Sequence, residues 1–178
     1  MTITRRALAL SAVGLIGVSA KGGALSGRRA PSFTLPDLGM TYHDLLDYRG
    51  QVVLLDFMQT SCPHCQTLAP TLERIKKQFG DRLAILSIVM PPDNTRTIPP
   101  FIAKHQITTP ILLDCGQVAA AYLKVTPQRP QINIPHLFLI DAKGMIVEDW
   151  EYGATTKSIF EGDGLVPHIA KLAGAPNK

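Results

Sequence analysis

Cys62 and Cys65 sit in "QTSCPHCQTLAP" (59–70) with two residues between them. Thiols at that spacing can carry haem, clamp a metal, staple the chain or trade electrons. Haem attachment needs a histidine directly after the second cysteine, and Gln66 stands there. A structural zinc site needs four ligands. The remaining cysteine, Cys115, lies 50 residues beyond Cys65, and no second ligand pair of matching spacing is visible. A bridge across two residues closes so small a loop that it hardly restricts the unfolded chain. Electron exchange fits better. The pair follows an apolar run and opens a helical stretch, so Cys62 is placed near unpaired N–H groups and the positive end of the helix dipole. Both favour thiolate, the attacking species. Cys62 is therefore expected to be the nucleophile, and Cys65, one turn on, the thiol that resolves the mixed disulfide. Pro63 suits the first helical position, where its missing N–H costs nothing. His64 is expected to tune the thiolate by hydrogen bond or charge; the plainer reading is a solvated spacer.

Other residues bear on the same chemistry. Asp56 interrupts an apolar strand, and burial raises a carboxyl pKa. It is expected to accept the Cys65 proton; the plainer reading is a structural acid with a donor nearby. His136 is either a second tuning group, a metal ligand beside the thiols, or a structural histidine. Cys115 is expected to be a small buried residue at a strand end. His43, His105 and His168 have no companions at ligand spacing, and Trp150 is read as packing.

These residues need a frame. The chain has 178 residues, 46% hydrophobic and 18% charged, with net charge +4. That supports one cored domain and argues against disorder. Without a run of basic residues, nucleic acid is not an expected partner. Residues 1–20 differ from the rest: "MTITRR", then "ALALSAVGLIGV", then "VSA". They have the charged, apolar and small-residue regions of a secretory signal, and "TRRALAL" loosely matches a twin-arginine signal. The rival is a retained anchor, but the stretch 7–20 is short of the roughly 20 residues a span needs. Export to the periplasm or another extracytoplasmic space is expected, where disulfides persist. Residues 21–30 look like a linker and 31–175 like the domain. Strands are expected at 51–58, 82–90, 110–114, 136–141 and 145–152, with helices at 62–79, 101–107, 117–125 and 156–173, the last interrupted near "EGDG". Strands alternate with helices before "DAKG" turns a closing antiparallel hairpin. The class is α/β: a mixed central sheet, helices on both faces, a C-terminal hairpin and a final helix.

At this point the residues resemble the thioredoxin superfamily. "VVLLDFMQTSCPHCQTLAP" is similar to its strand–active-site–helix segment, with Asp56 six residues before Cys62 where that family places a buried acid, and Pro70 where the helix bends. "INIPHLFLID" resembles its cis-proline loop. The resemblance implies a cis bond before Pro135, with the Ile134 backbone near Cys62 and able to pair with an extended substrate. "APSFTLPDLGM", the insertion at 91–109 and "FLIDAKGMIVEDW" resemble exported TlpA-type proteins, thioredoxin-like reductants linked to cytochrome c biogenesis. Pro63-His64 instead resembles the spacer of strong periplasmic disulfide oxidases, and His136 stands where threonine is usual. Both directions of electron flow therefore stay open.

The resemblance implies a thiol-disulfide oxidoreductase acting on cysteine pairs of other proteins. A recycling redox partner, soluble or in the membrane, is required. No dissociable cofactor is needed, because the redox group is the Cys62–Cys65 pair itself. The alternative is a copper chaperone of related fold, with Cys62, Cys65 and His136 holding Cu(I); such proteins carry three residues between the cysteines. A thiol peroxidase of related fold wants threonine three residues before the nucleophile, where Gln59 stands.

Overall fold

The computed structural model describes residues 23–177. In chain order it builds β1 (Arg28–Arg29), β2 (Thr34–Pro36), β3 (Tyr42–Asp44), β4 (Val52–Met58), α1 (Pro63–Phe79), β5 (Leu83–Val89) and α2 (Ile98–His105). Then come β6 (Ile111–Leu113), α3 (Gln117–Leu123), β7 (His136–Ile140), β8 (Met145–Glu151), α4 (Lys157–Glu161) and α5 (Val166–Ala173). The expected export segment lies outside the described residues.

Every residue of β4 is buried, as its unbroken apolar run requires of a strand covered on both sides. It is central in a six-stranded sheet ordered β1-β8-β7-β4-β5-β6. β4 and β5 run parallel, so α1 must cross between them; β4 and β7 run antiparallel. β7 turns into β8 through Asp141–Gly144. Gly144 has φ 81°, and the Asp141 carboxylate accepts the Lys143 and Met145 N–H groups at 2.9 Å each. β2 and β3 form a separate hairpin.

Alternation along the strands makes two cores. Val53, Leu55, Phe57 and Phe138 face α3, where Tyr122 packs among them. Leu54, Leu137 and Leu139 face Leu68, Leu72 and Ile75 of α1, with Phe160 and Ile169 of the last two helices. Full burial of each such side chain contributes roughly 1.5–3 kcal/mol. Helices thus cover both faces, as expected. The C-terminal helix is broken, also as expected, and the break is tight: a Cβ on Gly164 would meet the Ser158 carbonyl oxygen at 2.7 Å.

Two expectations are corrected. Of the stretch 21–30, read as linker, the described residues 23–30 are built into the fold. β1 pairs with β8, the Leu25 N–H donates to Asp149 Oδ1 at 3.0 Å, and Ala30 is buried. Edge hydrogen bonds and apolar cover, which low-complexity composition does not reveal, hold it there. Cys115 is exposed rather than buried. The strand ends at Leu113, and Asp114 turns inward instead, accepting the Val118 and Ala119 N–H groups at 3.2 and 2.9 Å to cap α3. That leaves Cys115 facing out.

Candidate active site

α1 begins where the sequence places it. Cys62 is the N-cap, with extended backbone (φ −74°, ψ 120°), and Pro63 follows at the first turn. The half-buried Cys62 Sγ accepts the Cys65 N–H at 3.4 Å and lies 3.9 Å from the Ile134 carbonyl oxygen. One turn in, Cys65 is 1% exposed among Met58, Ala69, Val89 and Phe101. Both thiols are free. The two sulfurs differ in setting: one is half-buried at the helix cap beside the Cys65 N–H, the other lies buried beneath it. Pro70 lies inside α1, where it withholds the N–H that would bond one turn back.

Asp56 is 2% exposed, and its Oδ1 has no hydrogen-bond partner among the described residues. Burial raises its pKa to about 7, against the pull of a hydrogen bond from Ser87, its direct neighbour on β5. Burial also pushes the Cys65 thiol up, and the Asp56 charge pushes it further. A charge on Asp56 thus disfavours a second negative charge on the Cys65 sulfur. Asp56 alternates with Phe57, so it points to the α1 side.

His136 points the other way. It pairs directly with Phe57 in the β4–β7 register, and directly paired residues share a face. Its ring stacks on Phe138 at 4.6 Å, and Nε2 lies 3.2 Å from Asp149 Oδ2. The ligand trio Cys62, Cys65 and His136 is therefore not brought together. Among the described residues no three His, Cys, Asp or Glu side chains are grouped to hold a metal ion. The alternation of β7, not the nearness of His136 to Pro135 in sequence, decides this. His64 is exposed and lies on Tyr152, with ring centroids 3.9 Å apart, rather than on the sulfur. The Ile134–Pro135 bond is cis.

Sequence reasoning missed Asp93, Asp149 and Tyr152. Asp93 accepts the Thr60 N–H at 2.7 Å and the Thr60 hydroxyl at 2.5 Å, tying down the peptide ahead of Cys62. The Gln59 amide donates to the Pro91 carbonyl in the same loop at 3.2 Å. "PPDN" signals a turn, but nothing in it signals the partner 33 residues back. A shallow groove of about 350 Å³ adjoins this corner, lined by Gln59, Met90, Pro91, Cys115, Ile132 and Ile134.

A surface cysteine capping a helix, its partner buried over a protonable acid, and a cis-proline loop alongside are together the mark of a thioredoxin-like protein. The chain belongs to the AhpC/TSA family, whose model matches residues 26–149. It is similar to the thioredoxin-like protein YneN of Bacillus subtilis (strain 168), 28% identical over 141 residues, 78% of each chain. It is also similar to the thiol-disulfide oxidoreductase ResA of Geobacillus kaustophilus (strain HTA426), 33% identical over 124 residues, 67% of this chain and 66% of that one. A solved thiol:disulfide interchange protein of the thioredoxin family from Chlorobium tepidum TLS matches the fold with TM-score 0.66 at 20% identity, over 83% of this chain and 97% of that one. The activity class is thiol-disulfide oxidoreductase.

Proposed function

We propose that this is an exported oxidoreductase whose Cys62–Cys65 pair exchanges with cysteine pairs of protein substrates. One observation carries the reading: Cys62 Sγ is reachable at the cap of α1, while Cys65 waits one turn below, beside Asp56. In the reducing direction the Cys62 thiolate attacks a substrate disulfide. A sulfur–sulfur bond forms to the near substrate sulfur, and the far one leaves as thiolate and takes a proton from solvent. Cys65 then gives its proton to the Asp56 carboxylate and attacks Cys62 Sγ. The second substrate sulfur leaves as thiolate and becomes a thiol by taking up the proton that Asp56 releases. Net, two protein thiols become one disulfide and one substrate disulfide becomes two thiols. The reverse sequence oxidises a substrate.

The Ile134 carbonyl beside Cys62 suits backbone pairing with an extended substrate strand, and the apolar groove next to it suits a flanking side chain. A membrane or soluble redox partner returns the pair to its working state. The secretory character of residues 1–20 supports export. Among the described residues no helix is long and apolar enough to cross a membrane.

The test is turnover with insulin as a disulfide substrate, without metal. Wild type is expected to reduce it, Cys62→Ser to be inactive, and Cys65→Ser to accumulate a mixed disulfide visible by mass. Stoichiometric tight copper binding with negligible exchange would replace this reading with the chaperone. Amino-terminal sequencing of protein recovered outside the cytoplasm tests export.

A further inference from the structure

The histidine inside the cysteine pair is captured by a residue 88 positions away. His64 lies nearly flat on the Tyr152 ring, with centroids 3.9 Å apart and planes inclined by 22°. Tyr152 is itself fixed on three sides. Its hydroxyl donates to Glu161 Oε1 at 2.6 Å, its ring meets buried Phe160 edge-on at 5.4 Å, and its N–H donates to the Pro135 carbonyl at 3.3 Å. Glu161 also faces Lys157 Nζ at 3.4 Å. The Glu161 carboxyl is held below its ordinary range by the Tyr152 hydroxyl first, with Lys157 and His64 adding attraction. Cys62 Sγ meanwhile accepts the Cys65 N–H; among the described residues no hydrogen bond runs to it from His64.

We propose that Tyr152, braced by Glu161 and Phe160, is a positioning residue that holds the His64 ring off Cys62 Sγ and so keeps the pair less oxidising than its Pro-His spacer would otherwise make it. The proposal rests on the exchange reading above. An imidazole N–H directed at Cys62 stabilises the thiolate of the reduced form and has no such charge to meet in the disulfide, so it makes the disulfide a stronger oxidant. A ring stacked on a fixed phenol is removed from that task. The Tyr152 N–H bond to Pro135 ties the shelf to the loop that faces substrate, so His64 and the docking carbonyl are held by one backbone. This reconciles an oxidase-like spacer with a chain that otherwise resembles TlpA-type reductants.

The experiment is redox equilibration of the purified protein with reduced and oxidised glutathione at pH 7. The variants are wild type, Tyr152→Leu, Tyr152→Phe, His64→Ala and the His64→Ala/Tyr152→Leu double. Tyr152→Leu frees the ring and is expected to shift the equilibrium toward the dithiol at least fivefold, about 20 mV at about 30 mV per decade. Tyr152→Phe keeps the stack, loses only the bond to Glu161, and is expected to shift it by about twofold or less. In the His64→Ala background, Tyr152→Leu is expected to change nothing beyond twofold. An equal shift with and without His64, a shift toward the disulfide, or no shift would each overturn the positioning role. Should Tyr152→Leu fail to fold, proton NMR of the folded wild type and Tyr152→Phe decides the matter. The His64 ring protons are expected upfield from the tyrosine or phenylalanine ring current, and ordinary shifts in both would overturn the proposal. If wild type does not equilibrate with glutathione at all, the exchange reading itself falls, an outcome separate from loss of coupling between residues 64 and 152.

Discussion

Asparagine at position 56 should remove a pH-dependent loss of stability that the wild-type carboxyl imposes. The Asp56 pKa is about 7 in the fold against an ordinary value of 3.8. The folded protein therefore keeps this proton through a range in which the unfolded chain has released it. Stability falls wherever the native state binds more protons than the unfolded state. The contribution is thus intact below about pH 4 and is lost as pH rises through about 7. Each unit of pKa difference is worth about 1.4 kcal/mol, so the full loss is about 4 kcal/mol, of which about 2.5 kcal/mol falls between pH 5 and 8. Asp56 is 2% exposed, so solvent screening does not erode this figure. Asparagine fills nearly the same volume and cannot ionise. The assay is urea unfolding of the disulfide form, in which Cys65 does not titrate, followed by circular dichroism at pH 5 and 8. Wild type should lose about 2–3 kcal/mol more than Asp56→Asn over that interval, with unchanged m-values. Curves that stay parallel would mean Asp56 ionises as an ordinary carboxylate, and its role as proton acceptor would go with them. The same substitution should slow release of the Cys62 mixed disulfide at least about a hundredfold near neutral pH, the lower end of the range typical of lost general-base catalysis.

Other consequences follow from acids that accept several hydrogen bonds. Asp149→Ala leaves His136 buried without its partner at 3.2 Å and the Leu25 N–H without its acceptor. Each buried donor left unpaired costs about 1–3 kcal/mol, so the two together should cost about 2–5 kcal/mol in urea unfolding; a cost under about 1 kcal/mol would contradict the burial argument. Asp93→Ala frees the Thr60 N–H and hydroxyl, held at 2.7 and 2.5 Å. It should lower stability by about 1–3 kcal/mol and slow insulin reduction severalfold, because the peptide before Cys62 loosens. Glu73 accepts four hydrogen bonds from Thr108 and Thr109, at 2.6–3.1 Å. Burial pushes its pKa up, but these bonds win and hold it below 4.5. Its stabilisation is present above that value and lost as pH falls through the depressed one, so wild type should lose more stability on acidification than Glu73→Gln in thermal melts at pH 3 and 6.

Much of the molecule was legible in one dimension because its signals are local. An unbroken apolar run needs a strand covered on both sides, and β4 is one. Cysteines three positions apart after that strand must share the first turn of a helix, and a proline between them must sit at its start. A carboxylate within the run must be buried, whatever surrounds it. What the linear order left open depends on contacts between distant segments. The alternation of paired strands turns Asp56 toward Cys65 and His136 away, toward Asp149. The capping of α3 by Asp114 turns Cys115 outward. β8 accepts 28–29 as an edge strand where composition suggested a tether. The Tyr152 ring reaches His64 only because β8 ends beside the cis-proline loop. Spacing along a chain dictates which chemistry is possible; sheet register and packing dictate which side chains meet to perform it, since a one-residue change of facing exchanges one partner for another.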